Sequence, residues 1–205
     1  MRFFLFTFLL FHLLGQSQNN PAFKNEVNSI TQKYDSIWDS ARETIVFTGS
    51  SSVRMWKNIQ EMFPEHQIIN SGFGGSQTID LLGYTNELIL NYKPKKVFIY
   101  EGDNDISANK KSKEILQSFS TIISKIKSQN STTSIVRWHL KNKYKKLNRK
   151  LRRFCNKDEN LEFANVWNIM LNKNKLKTEL FIDDGLHMNA EGYNLWYSII
   201  KNYLD

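Results

Sequence analysis

Thr44-Ile45-Val46-Phe47-Thr48-Gly49-Ser50-Ser51-Ser52 is the stretch on which the fold reading turns. Thr44 to Thr48 is a short apolar run rich in β-branched residues, of strand length. Gly49 stops it, and three serines begin something new. An apolar strand that runs into a small-residue turn and then a helix is the opening of a βα unit. The same pattern recurs further along. Gln67-Ile68-Ile69-Asn70 ends at Ser71-Gly72-Phe73-Gly74-Gly75-Ser76, and Lys96-Val97-Phe98-Ile99-Tyr100 ends at Glu101-Gly102-Asp103-Asn104-Asp105.

Helical periodicity fills the intervals. Asn19 to Glu43 carries Val27, Ile30, Tyr34 and Trp38 at helical spacing, Ile79 to Leu90 follows the second strand, and Ser112 to Ser128 follows the third. A fourth strand is predicted at Thr133-Ser134-Ile135-Val136, a basic helix over Leu140 to Phe154, a fifth strand over Leu161 to Val166 and a closing helix over Ala190 to Leu204. The strands are apolar throughout rather than alternating, as expected when both faces of a sheet are covered. The prediction is an α/β fold: a three-layer α/β/α sandwich on a parallel sheet of about five strands.

The 205 residues suit one domain, and 40% hydrophobic content argues against disorder. Residues 1–18 read as a signal peptide. Met1-Arg2 is a positive start, Phe3 to Leu14 is broken only by Thr7 and His12, and Gly15-Gln16-Ser17-Gln18 offers a cleavage region. That run falls short of the ~20 residues that span a bilayer. The expectation is therefore a secreted or periplasmic domain over 19–205 with no stable membrane insertion once the signal is removed. No cysteine lies near the cleavage region, which argues against a lipid anchor. The lone Cys155 can form no internal disulfide and is read as an inert thiol.

Ligands of open parallel sheets bind at the carboxyl ends of the strands. The polar turns gather there, joined by Asp183-Asp184-Gly185-Leu186-His187 ahead of the last helix. Each suits one task in acyl transfer. Ser51 needs a base, and His187 is the candidate. Asp184, three residues earlier, can orient the imidazole. An oxyanion needs fixed donors, and the Ser51 N–H, the Gly75 N–H and the Asn104 side-chain amide can supply them.

This arrangement resembles the SGNH, or GDSL, hydrolase superfamily, named for Ser, Gly, Asn and His in successive blocks. Ile45 to Ser51 is similar to the first block, Asn70 to Ser76 to the second, Gly102-Asp103-Asn104-Asp105 to the third and Asp184-Gly185-Leu186-His187 to the last. The resemblance implies a flavodoxin-like fold and an esterase with Ser51, Asp184 and His187 as catalytic residues and Ser51, Gly75 and Asn104 as oxyanion hole. Gly-Ser-Ser-Ser-Val-Arg-Met-Trp from Gly49 looks most like the branch of platelet-activating-factor acetylhydrolases and bacterial acyl esterases. Two departures stand out. Ser50 replaces the usual Asp of Gly-Asp-Ser, and the fourth strand runs almost directly into Arg137-Trp138-His139, shorter than in the family.

The implied substrates are small acyl esters, either acetylated carbohydrate or short-chain lipid ester. A catalytically impaired relative that binds glycan is the competing reading, supported by the shortened fourth strand. No metal and no cofactor are expected, since His66 and His139 lack partners at ligand spacing. Arg54 and Trp56 are read as lining the pocket or as structural. Lys141 to Arg153 holds eight Lys or Arg in thirteen residues, with Leu140, Tyr144, Leu147, Leu151 and Phe154 at helical spacing. This reads as the solvated face of an amphipathic helix. No other feature supports nucleic acid as a partner, while an anionic substrate or acidic surface fits the charge. Asn130-Ser131-Thr132 is a glycosylation sequon.

Overall fold

The structure is a computed structural model and describes residues 20–128, 132–135, 141–173 and 175–204. In chain order, α1 (Lys24–Asp35) leads into β1 (Thr44–Gly49), then the short helices α2 (Ser51–Arg54) and α3 (Ile59–Met62). After β2 (Gln67–Gly72) come α4 (Thr78–Gly83) and α5 (Thr85–Leu88). β3 (Lys96–Tyr100) is followed by α6 (Asp103–Ser107) and α7 (Ser112–Lys127), and β4 (Thr132–Ile135) by α8 (Lys141–Cys155). After β5 (Leu161–Glu162), a small antiparallel pair, β6 (Leu171–Asn172) and β7 (Lys175–Leu176), precedes α9 (Ala190–Ile200).

The five-stranded sheet is parallel, in the order β2-β1-β3-β4-β5. Every residue of β1 and β3 is buried, as expected for strands covered on both faces. Phe47 stacks on Phe98 of the adjacent strand with centroids 4.5 Å apart. Trp56 lies between Phe47 and the α9 residues Tyr193 and Trp196, so α9 and the segment after β1 share one aromatic cluster. The fold is thus the predicted α/β sandwich.

The predicted elements differ from the structure in several places. The helix expected over Asn19 to Glu43 is confined to Lys24–Asp35, and the closing helix ends at Ile200 rather than Leu204. The helix expected over Ile79 to Leu90 breaks at Gly83 and Tyr84 into α4 and α5, with a 3₁₀ turn at Leu90–Tyr92. The fifth strand expected over Leu161 to Val166 is only Leu161–Glu162. An apolar run is strand only where it pairs in a ladder, whatever its composition. β4 has four residues, and β5 pairs with two of them, Thr133 and Ser134. Three strands, β1 to β3, are therefore of full length, fewer than predicted, and the sheet tapers toward β5.

The predicted signal peptide at 1–18, Asn130 and Ser131 of the sequon, Val136 and the segment with Arg137, Trp138 and His139 lie outside the described residues. Among the described residues no helix is long and apolar enough to cross a membrane. The basic segment forms α8, with Leu147 and Leu151 fully buried beneath its charges. Cys155 is buried, and desolvation pushes its thiol up to about 11, too high for a reactive thiolate at neutral pH.

Candidate active site

The ends of the three long strands lie level. Gly49 pairs with Gly72 on one side and with Tyr100 on the other, so the loops that follow leave the sheet at one height. They are also stitched together. The Ser50 N–H donates to the Tyr100 carbonyl at 2.9 Å, and the Phe73 N–H to the Gly49 carbonyl at 2.8 Å. This closeness dictates a glycine at 49: its φ is +122°, and a Cβ there would run into the Tyr100 carbonyl.

Ser51 begins α2 and is half-buried. Ser50, the residue that replaces the family's Asp, is buried, and its hydroxyl oxygen caps α2 by accepting from the Ser51 N–H at 2.7 Å. The same oxygen accepts from Asn104 Nδ2 at 3.0 Å, and Nδ2 also donates to the Ser76 carbonyl at 2.8 Å. Two of the three expected oxyanion donors therefore converge on Ser50. The third is held differently. Gly75 is exposed with φ +76° and nothing within 4 Å of where a Cβ would sit, so backbone conformation rather than space favours glycine there. Its N–H makes no hydrogen bond among the described residues.

The Gly74–Thr78 turn is fastened by residues that sequence reasoning left without a role. Ser76 Oγ donates to the fully buried Glu101, and the Thr78 N–H donates to Asp105 Oδ2 at 2.9 Å while its hydroxyl donates to Oδ1. From α1, Glu26 accepts from the Gly74 N–H at 3.0 Å and pairs with Arg54 at 3.1 Å. Glu101 and Asp105 had a legible signal, carboxylates at the end of an apolar strand that must find donors to be buried. Glu26 had none, since its partner is 48 residues away. Arg54 and Trp56 have the structural roles weighed for them: Arg54 packs against Gly74, and Trp56 is in the core.

Asp184 and His187 share a tight turn. Asp184 Oδ1 accepts from the N–H groups of Leu186 and His187, both at 2.9 Å, and Oδ2 lies 2.6 Å from His187 Nδ1. The imidazole and these amides hold the Asp184 carboxyl down at about 2. The other ring nitrogen, Nε2, is buried and makes no hydrogen bond among the described residues. This turn is tied to the segment that begins α2 through α9. The Tyr193 hydroxyl donates to the Ser52 carbonyl at 2.9 Å, and burial together with the Asp184 charge raises its pKa. Among the described residues no group of His, Cys, Asp and Glu is arranged to hold a metal.

Fold and residue layout together are those of an α/β-sandwich hydrolase, with its polar turns at the carboxyl edge of a parallel sheet. The chain belongs to the GDSL-like lipase/acylhydrolase family, whose family model matches residues 28–195. It is an ester hydrolase of that family. Solved structures share the fold. A Streptococcus pneumonia protein named for platelet activating factor is 23% identical, covering 90% of this chain and 95% of its own, with a TM-score of 0.76. A GDSL-like lipase from Bacteroides thetaiotaomicron is 19% identical, covering 86% and 96%, with a TM-score of 0.73. A family 3 carbohydrate esterase from Clostridium thermocellum is 18% identical, covering 79% and 96%, with a TM-score of 0.61. No curated protein matches the chain.

Proposed function

We propose that the protein is an exported serine esterase that hydrolyses small acyl esters, acetylated carbohydrate or short-chain lipid ester, with residues 1–18 as its export signal. The observation that carries the reading is the Asp184–His187 pair, a histidine held at Nδ1 with a buried Nε2 that has no hydrogen-bond partner among the described residues. A nitrogen so placed is a base in need of a proton donor.

In the proposed reaction His187 Nε2 takes the proton of Ser51 Oγ as the oxygen attacks the ester carbonyl. Asp184 stays ionised throughout and holds the ring. The Ser51 and Gly75 N–H groups and Asn104 Nδ2 receive the oxyanion. For Ser51 and Asn104 this exchanges the neutral Ser50 hydroxyl for a charged acceptor, a stronger partner. Collapse expels the alcohol, which leaves with the proton from His187. Water then attacks the acyl-enzyme, His187 takes its proton, and the acid departs as Ser51 is reprotonated.

Leu186 beside His187 and Ile79 beyond Gly75 are exposed apolar side chains that suit a short acyl group. The test is hydrolysis of p-nitrophenyl acetate and labelling by a fluorophosphonate. Wild type is expected to do both, and Ser51→Ala to lose labelling and at least about a thousandfold in rate. Equal turnover by the two proteins would sink the assignment.

A further inference from the structure

The basic helix is more than a solvated face. Lys145, Asn148, Arg149 and Arg152 lie on one side of α8 at i, i+3, i+4 and i+7. Together with Phe163 and Trp167 they wall a cavity of about 450 Å³ between α8 and the segment after β5. Among the described residues no Asp or Glu lines it, and none of the three cations has an ion pair. The Arg149 Nε donates to the Lys145 carbonyl, which sets the guanidinium along the helix without neutralising it. Arg152 lies 5.3 Å over the Phe163 ring. Asn148 Oδ1 is buried and has no hydrogen-bond partner among the described residues.

These features call for three chemistries in one ligand: an anion for the cations, a hydroxyl donor for Asn148 and a flat apolar face for the aromatic wall. Sugars that carry carboxylate or sulfate combine them. We infer that the cavity between α8 and the β5 loop is a binding subsite for an acidic glycan, with Lys145, Arg149 and Arg152 holding its charge. The sheet places it usefully. All strands are parallel, so Phe163 after β5 and Ser51 after β1 leave the same edge. β5 is three strands from β1, about 14 Å at the usual ~4.8 Å spacing, within reach of a short oligosaccharide. Resting on the esterase reading, this makes the acidic glycan the alcohol portion of the ester.

The experiment separates binding from chemistry. The Ser51→Ala protein is titrated calorimetrically with oligogalacturonate, carrageenan oligosaccharide, cello-oligosaccharide and polyglutamate, alone and with Arg149→Ala and Arg152→Ala. One of the two acidic glycans is expected to bind at least tenfold more tightly than the neutral sugar and than polyglutamate, identifying carboxylate or sulfate. The arginine variants are expected to lose that preference while p-nitrophenyl acetate turnover on the Ser51 background stays unchanged. Equal binding of acidic and neutral sugars, binding of polyglutamate as tight as the glycans, or binding that survives both arginine changes would overturn the subsite. Loss of p-nitrophenyl acetate turnover in wild type would overturn the esterase reading instead, since the titration does not depend on it.

Discussion

The two halves of the sheet are built to different standards. On the β1–β2–β3 side the strands have five or six residues and are buried almost throughout, and the loops leaving them are hydrogen-bonded to one another through Ser50, Ser76, Thr78 and Asn104. On the β4–β5 side the strands have four and two residues, and the neighbouring helix turns a row of cations toward an open cavity. Transition-state stabilisation requires donors fixed within fractions of an ångström, and the proposed oxyanion donors lie on the first side. Choosing a ligand by charge tolerates looser geometry, because Coulomb attraction falls off slowly with distance. Under the two proposals, chemistry and selection are divided across the sheet.

The sharpest way to test the rigid side is Asp184→Asn, which leaves shape intact but offers the wrong partner to His187 Nδ1. kcat/KM is expected to fall by about 10⁴ with little change in KM. Because the Asp184 carboxyl is held down at about 2, wild type gains no acid-limb ionisation from it across the working pH range. The stability linkage has a definite sign: the bound carboxylate stabilises the fold above the ordinary carboxylate value of 3.8, and that contribution is lost as pH falls through about 2. Acid unfolding of wild type and Asp184→Asn should accordingly differ above that window and converge below it.

Next in size is Gly49→Ala, which forces a side chain into positive φ and into the Tyr100 carbonyl. A loss of more than about 4 kcal/mol in denaturant titration is expected, near the limit of what such a domain tolerates. Asn104→Ala removes an expected oxyanion donor and the contact with Ser50. A fall of about 10²–10³ in kcat is expected, with the melting temperature moving by only a few degrees. At the small end stands the other side of the sheet. Arg149→Ala, on an exposed helical face, should shift unfolding free energy by less than about 0.5 kcal/mol. If it instead destabilised the fold as strongly as Gly49→Ala, the division between the halves would collapse.

Much of the rigid side was legible in advance because its signals are local. Each long strand is an unbroken apolar run ended by small polar residues, and Asp184 and His187 lie within one turn of chain. What escaped depended on distant partners. The Glu26 carboxylate meets the Gly74 N–H, the Ser50 hydroxyl receives both the Ser51 N–H and Asn104, and Tyr193 reaches the Ser52 carbonyl across 141 residues. β5 is shorter than the apolar run Leu161 to Val166 predicts, since only Leu161 and Glu162 pair with β4.

The sequence alone determined the layered α/β architecture, the order of the polar turns and the residue types able to perform acyl transfer. Those are carried by hydrophobic periodicity and short spacings, which act within a few residues. Tertiary structure alone decided that the donors of Ser51 and Asn104 rest on Ser50, that Glu101 and Asp105 clamp the glycine turn, and that Lys145, Arg149 and Arg152 of α8 border a cavity. A hydrogen bond or a cavity wall needs two surfaces brought together, and where those surfaces lie far apart in the chain only the fold selects the pair.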